Sequence, residues 1–141
     1  MAILFFTEDI KKPKFKIRAT VNWLKSCISN FNKKTGSINY ILCSDEYLRS
    51  INNKYLNHDY YTDIITFNNS ENDLISADIY ISIERVMDNA MEYHVSFINE
   101  FNRVMIHGIL HLIGFYDGSN AEKILMRKEE DKCLSSFIIS N

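Results

Sequence analysis

The chain has 141 residues, 46% hydrophobic and 24% charged, with four glycines and one proline, the balance of an ordinary globular protein with no linker-like or disordered stretch. That length reads as one domain, 1–141. A formal net charge of −2 excludes a strong global field for nucleic acid, so any RNA contact must be local. Cys27, Cys43 and Cys133 are odd in number and form no Cys-x-x-Cys, which predicts reduced thiols in a reducing cytoplasm rather than a disulfide framework.

The N-terminal run Met1-Ala2-Ile3-Leu4-Phe5-Phe6 is apolar but short, has no basic segment before it, and is followed by Glu8 and Asp9. It is neither a signal peptide nor a membrane span, and residues 2–6 predict a first strand. A basic run, Lys11, Lys12, Lys14, Lys16 and Arg18, passes Pro13 into a helix marked by Ile17, Val21, Leu24, Ile28 and Phe31. Lys33-Lys34-Thr35-Gly36 ends that helix. Residues 38–43 alternate as a strand. Ser44 caps a second helix, with Asp45 and Glu46 in its first turn and Tyr47, Leu48, Ile51 and Tyr55 as its apolar stripe. Asn57-His58-Asp59 is a turn, residues 63–68 a β-branched strand, 69–73 a loop, and 77–83 a further strand.

Helical patterns follow. One runs from Glu84 to Tyr93. Ser96 caps the next, whose apolar stripe includes Phe97, Phe101, Val104, Met105, Ile109 and Leu112, and Gly114 stops it by tolerating positive φ. Ser119 with Glu122 is a capping box that opens the last helix. Strand 38–43, helix 45–55 and strand 63–68 predict one right-handed βαβ unit. The whole reads as an α+β domain, a small mixed sheet of about four strands packed with about five helices.

The informative segment is His107-Gly108-Ile109-Leu110-His111-Leu112-Ile113-Gly114-Phe115-Tyr116-Asp117. Two histidines four apart on a helix share one face, about 5–6 Å apart at Cβ, and can grip one cation. Gly114 lets the chain turn back, which brings Asp117 within reach of the same ion. Two imidazoles and a carboxylate suit one zinc ion with a fourth position open, the arrangement of a catalytic rather than a structural site. The pattern His-x-x-x-His-x-x-Gly-x-x-Asp resembles the ligand skeleton of metzincin zinc sites. The peptidase version has Glu after the first His to activate water, and here that residue is Gly108. The metal is kept and the peptidase base is dropped, which points to hydrolysis of another bond.

The same segment resembles the YbeY family of bacterial endoribonucleases, whose motif reads His-Gly-x-Leu-His-Leu-x-Gly-Tyr-Asp-His. This chain follows it from His107 through Gly114, with Phe115 in the aromatic position. Tyr61-Thr62-Asp63-Ile64-Ile65-Thr66-Phe67 and Ala77-Asp78-Ile79 are similar to the family's Pro-Thr-Asp-Val-Leu-Ser-Phe and Gly-Asp-Ile strands. The resemblance implies a zinc-dependent, single-strand-specific endoribonuclease that matures the 3′ end of 16S ribosomal RNA and serves ribosome quality control. It implies the small ribosomal subunit and the GTPase Era as partners, with no membrane. Two departures stand out. The family's usual third ligand is His, where this chain has Asp117; two His and a carboxylate also suit iron(II). Many members carry Arg where this chain has Leu56, which leaves the phosphate-binding role unassigned.

Other residues bear on catalysis. Arg103 lies one turn before His107 and could steady a phosphate beside the metal. Asp63, at the start of a strand, could orient a ligand histidine. His58, in the turn, is a further candidate for phosphate. Asp78 stands among isoleucines, and Lys11 to Arg18 could track an RNA backbone. His94 reads as structural or exposed, and Trp23 as core. No residue is an obvious general base. Two rival functions share the ligand set: a zinc metallopeptidase, and a non-catalytic ribosome-assembly factor whose metal is structural.

Overall fold

The structure, a computed structural model, describes residues 2–137. Its elements run β1 (Ile3–Thr7), α1 (Ile17–Asn30), β2 (Lys34–Cys43), α2 (Asp45–Leu56), β3 (Ile64–Asn68), β4 (Leu74–Ser82), α3 (Ile83–Glu92), α4 (Phe97–Ile113) and α5 (Asn120–Ser135). The four strands form one mixed sheet in the order β1-β2-β4-β3, with β1, β2 and β4 parallel and β3 antiparallel on the edge. The α+β expectation of about four strands and five helices holds. Among the described residues, no helix is long and apolar enough to cross a membrane.

Alternation along the strands divides the sheet into two faces. Ile38, Tyr40 and Leu42 of β2 and Ala77, Ile79 and Ile81 of β4 join the main core with Trp23, Leu24 and Ile28 of α1 and Phe101, Met105 and Ile109 of α4. The opposite face carries a smaller cluster, in which Cys43 and Ile65 meet Leu48 and Ile51 of α2. Trp23 is core, as expected, and its Nε1 donates to the carbonyl of Cys133 at 2.7 Å. All three cysteines are free and buried, and burial pushes the Cys43 thiol up to about 12.

Two expectations need correction. Strand 38–43, helix 45–55 and strand 63–68 do not form a parallel βαβ unit: β4 lies between β2 and β3, and β3 runs antiparallel to β4. The short Asn69–Asp73 connection folds β3 directly onto β4 as a hairpin, leaving the isoleucine-rich β4 in the centre of the sheet where both faces are covered. The parallel crossover is instead β1-α1-β2. Lys33–Gly36 is also not simply a helix stop. Asn32, at φ 60°, makes the turn, and β2 begins at Lys34 with a register shift between Thr35 and Ile38.

Helix α4 crosses the core face of the sheet, and its ends are fixed by the residues the sequence offered for that purpose. Ser96 Oγ accepts from the amide of Asn99 at 3.0 Å. At the other end Gly114 has φ 122°, its N–H reaches the His111 carbonyl at 3.2 Å, and the Phe115 N–H reaches the Leu110 carbonyl at 3.0 Å. This is the Schellman pattern, and it reverses the chain immediately after the second histidine.

Candidate metal centre

Both histidines project from the C-terminal half of α4, and the glycine turn returns the chain so that Asp117 faces them. Nε2 of His111 lies 3.0 Å from Nε2 of His107. Oδ2 of Asp117 lies 3.3 Å from the former's partner, His107 Nε2, and 3.4 Å from His111 Nε2. Zinc–nitrogen and zinc–oxygen bonds of roughly 2.0–2.1 Å in a tetrahedron place neighbouring ligand atoms about 3.3 Å apart. The three donor atoms thus stand at the mutual spacing of one face of such a tetrahedron, and among the described residues this is the group of metal-ligating side chains that converges. The donor set and its geometry fit a single small divalent cation.

The imidazole of His107 is oriented from behind. Its Nδ1 lies 2.6 Å from Oε2 of Glu130 on α5, a residue only 5% exposed. A proton on Nδ1 donated to that carboxylate leaves the Nε2 lone pair facing Asp117 and His111. Glu130 is held in turn by Nη1 of Arg103 at 2.9 Å, while Nη2 of Arg103 donates to Asp131 at 2.8 Å. Burial works against a charge on His107, but the Glu130 hydrogen bond and the charges of Glu130, Asp117 and Asp63 outweigh it, so its proton is held above the ordinary histidine value. An ion at Nε2 would compete with the second proton, the one that makes the ring cationic, and would leave the Nδ1–H bond to Glu130 in place.

The triad opens into a cleft of about 370 Å³ that is also lined by Asn52, Leu56, His58, Tyr60, Thr62, Asp63, Ile64, Ile65 and Thr66. Its walls are the end of α2, the loop after it, and the edge strand β3. Of the candidates from sequence, His58 and Asp63 share this cleft with the triad. Burial raises the proton affinity of the Asp63 carboxyl, an effect opposed by the positive charge His107 can carry. Arg103 lies elsewhere: its guanidinium is committed to Glu130 and Asp131, and it lines a separate cavity of about 150 Å³ behind His107. The histidine-orienting carboxylate is Glu130 rather than Asp63. Leu56, in place of the resembled family's Arg, is a cleft wall. Among the described residues no Lys or Arg lines the cleft.

Gly108 is buried against β3, where a Cβ would lie 2.9 Å from Ile64 Cδ1 and 3.5 Å from Thr66 Oγ1. That position is a close helix–strand contact and has no acid–base group. Asp78 accepts from Asn39 Nδ2 of the neighbouring strand at 3.0 Å, away from the triad. His94 is exposed at a φ of 56°, just after α3. The basic run lies outside the cleft: Lys14 and Lys16 flank Phe15, whose ring packs edge-on against Phe5 and Phe101.

Glu130 is the site residue that sequence reasoning missed, since it reads as one member of the acidic run Glu129-Glu130-Asp131. A signal was present. Met126, Glu130 and Cys133 make up the buried stripe of α5, and an acid in that stripe demands a partner.

Comparison with known proteins agrees with this geometry. A family model described as Endoribonuclease YbeY matches residues 5–138. A Parabacteroides distasonis protein named Endoribonuclease YbeY is 44% identical over 135 residues, covering 96% of this chain and 95% of the relative. A Flavobacterium psychrophilum protein of the same name is 52% identical over 126 residues, covering 87% and 90%. The solution structure of TM1509 from Thermotoga maritima superposes with a TM-score of 0.70 at 26% identity, covering 94% of this chain and 87% of that one. By sequence match and shared fold, the chain belongs to the YbeY endoribonuclease family.

Proposed function

We propose that this chain acts as a single-domain, zinc-dependent endoribonuclease that hydrolyses single-stranded RNA, with His107, His111 and Asp117 as the metal ligands. Its cellular task on this reading is maturation of the 3′ end of 16S ribosomal RNA and ribosome quality control in the cytoplasm, with the small subunit and the GTPase Era as partners. The observation that carries the proposal is the mutual spacing of 3.0, 3.3 and 3.4 Å among the three donor atoms at the floor of an open cleft. Family membership supports RNA as the substrate. Zinc held there would supply Lewis acidity toward a phosphoryl oxygen and a water acidified toward neutral pH.

The chain's own residues do the rest. Glu130 keeps the His107 proton on Nδ1 and so fixes the ring's orientation, and Arg103 fixes Glu130. Asp63 is the carboxyl in the cleft whose burial raises its proton affinity, and it is suited to take up a proton as the phosphodiester is attacked. Leu56, Ile64 and Ile65 supply apolar wall that limits water around the reacting group.

Purified protein supplied with zinc, incubated in parallel with single-stranded RNA, duplex RNA and an unstructured peptide, tests this reading. Cleavage of the single strand alone, abolished in His111→Ala, is the expected result. Cleavage of peptide alone would replace it with the metallopeptidase reading, which the side-chain-free Gly108 disfavours. The assembly-factor reading draws on the absence of Lys and Arg from the described cleft. It would prevail if His111→Ala lost its metal, by elemental analysis, yet still supported ribosome maturation in a cell lacking the wild-type gene.

A further inference from the structure

A strand of RNA entering this cleft meets no Lys or Arg among the described residues, and it passes two acids, Asp63 and the metal-facing Asp117. Ion pairs between phosphates and Lys or Arg of the cleft wall therefore do not hold the nucleotides beside the metal. The wall offers something else. His58 and Tyr60 both line the cleft, and their rings stack on each other with centroids 5.3 Å apart and planes inclined by 23°. Tyr60 is 54% exposed, and neither ring belongs to either hydrophobic core.

The pair is also built to stay in place. Asn57 closes α2 in the left-handed conformation at φ 56°. Asn52, only 2% exposed, then secures the loop twice: its carbonyl accepts from the His58 N–H at 3.2 Å, and its Nδ2 donates to the Tyr60 carbonyl at 3.1 Å. Asp59, between the two rings in sequence, is tied to Arg49 Nε at 2.8 Å. The Tyr60 hydroxyl lies 3.2 Å from His58 Nδ1, which links the rings to each other. An aromatic stack tied into its loop and half open to solvent binds a flat ligand at small cost in conformational entropy.

We propose that the His58–Tyr60 stack is a nucleobase platform: the exposed ring of Tyr60 takes one base of a single-stranded RNA next to the phosphate at the metal. The proposal rests on the reading of the chain as an RNA-cleaving enzyme and adds to it how the strand is held. Stacking is tolerant of base identity, because every base has a π face, so the platform confers preference for unpaired nucleotides rather than for a sequence. The cleft volume, near the low end of the roughly 300–1,000 Å³ of small-molecule sites, suits a nucleotide-sized group rather than a duplex.

The test is a binding measurement that does not depend on cleavage. Fluorescence anisotropy of a labelled single-stranded RNA gives Kd for wild type, Tyr60→Ala, Tyr60→Phe and Tyr60→Trp, using intact RNA and a series with one abasic nucleotide at each position in turn. Loss of the ring is expected to raise Kd about 10- to 100-fold, with Tyr60→Phe near wild type and Tyr60→Trp at least as tight. One abasic position should weaken wild type by a similar factor and weaken Tyr60→Ala no further. If the Tyr60→Ala and abasic losses multiply at every position, or if Tyr60→Ala binds like wild type, the platform is wrong. Should Tyr60→Ala not fold, the abasic scan on wild type decides alone, and equal small effects at all positions overturn the proposal. Zinc-supplied wild type failing to cut the intact RNA would instead count against the enzymatic reading, since the binding cycle reads the platform separately.

Discussion

The two nitrogens of His107 face different groups, and the difference is set by a residue on another helix. Nδ1 is 2.6 Å from Glu130, whose other oxygen is 2.9 Å from Arg103, so the ring cannot rotate without breaking a buried charge-assisted contact. Partners of this kind typically change metal affinity about 10- to 100-fold. Glu130→Gln is therefore expected to weaken zinc binding by that factor in a competition assay against a chromophoric chelator. An affinity within twofold of wild type would mean that α4 alone orients the ring. A second buried acid, Glu100, carries the opposite lesson. Burial first, then the neighbouring Asp63 charge, raise its pKa, while Arg103 and Arg127 pull it down less strongly. An acid raised on folding destabilises the fold above both its pKa values and costs nothing below its unfolded value. Glu100→Gln should thus melt higher than wild type at pH 7 to 8, by on the order of 2–4 °C, and the two curves should converge as pH falls below the unfolded value of 4.5. A constant gap at all pH values would remove the ionisation argument.

At the scale of elements, the parts of the fold read correctly from sequence are those written in local chemistry. Helix α4 has a side-chain cap at Ser96, a glycine at the reversal and a 3.6-residue apolar stripe between them, so its limits and the shared face of His107 and His111 were legible. The capping box of Ser119 and Glu122 opens α5 as expected. Strand partners were not legible, because pairing is decided by long-range packing: residues 63–68 read as a strand, yet nothing in them says that the following strand is their neighbour. Glu130 stayed hidden for the same reason, its partner being on a different helix. Gly36 gives a test at this scale. It lies in the irregular stretch of β2, where a Cβ would collide with Ser76 Oγ and sit 2.8 Å from the Ile75 carbonyl of β4. The hydroxyl can rotate away, but the carbonyl belongs to the central strand. Gly36→Ala should therefore destabilise by about 1–3 kcal/mol in urea unfolding, although alanine is the better residue for an ordinary strand. Unchanged stability would show that the two strands separate there freely.

The whole molecule ties its candidate metal centre into a closed circuit. Asp117 leads into α5 through the capped turn at Ser119, α5 runs back along α4, and Glu130 returns to the far side of the His107 ring whose near side faces Asp117. A cation shared by Asp117 and the two histidines would hold both ends of that circuit, clamping the start of α5 to the end of α4. A ligand that binds only the folded chain at 100 times its dissociation constant adds about 2.7 kcal/mol of stability, and one kcal/mol moves Tm by roughly 2–4 °C in a domain near this size. Removing the ion with a chelator should therefore lower the Tm of zinc-loaded wild type by about 5–10 °C. His111→Ala, which loses one of the three ligands, should start lower and respond little to the chelator. Hydrogen exchange adds a second readout of the same event: amides in the first turns of α5 should lose protection on chelation, whereas those of β4 in the centre of the sheet should lose protection only in step with global stability. A wild-type melt and exchange pattern indifferent to chelator would mean that the folded chain does not retain zinc, and the metal ligation assigned to His107, His111 and Asp117 would fail with it.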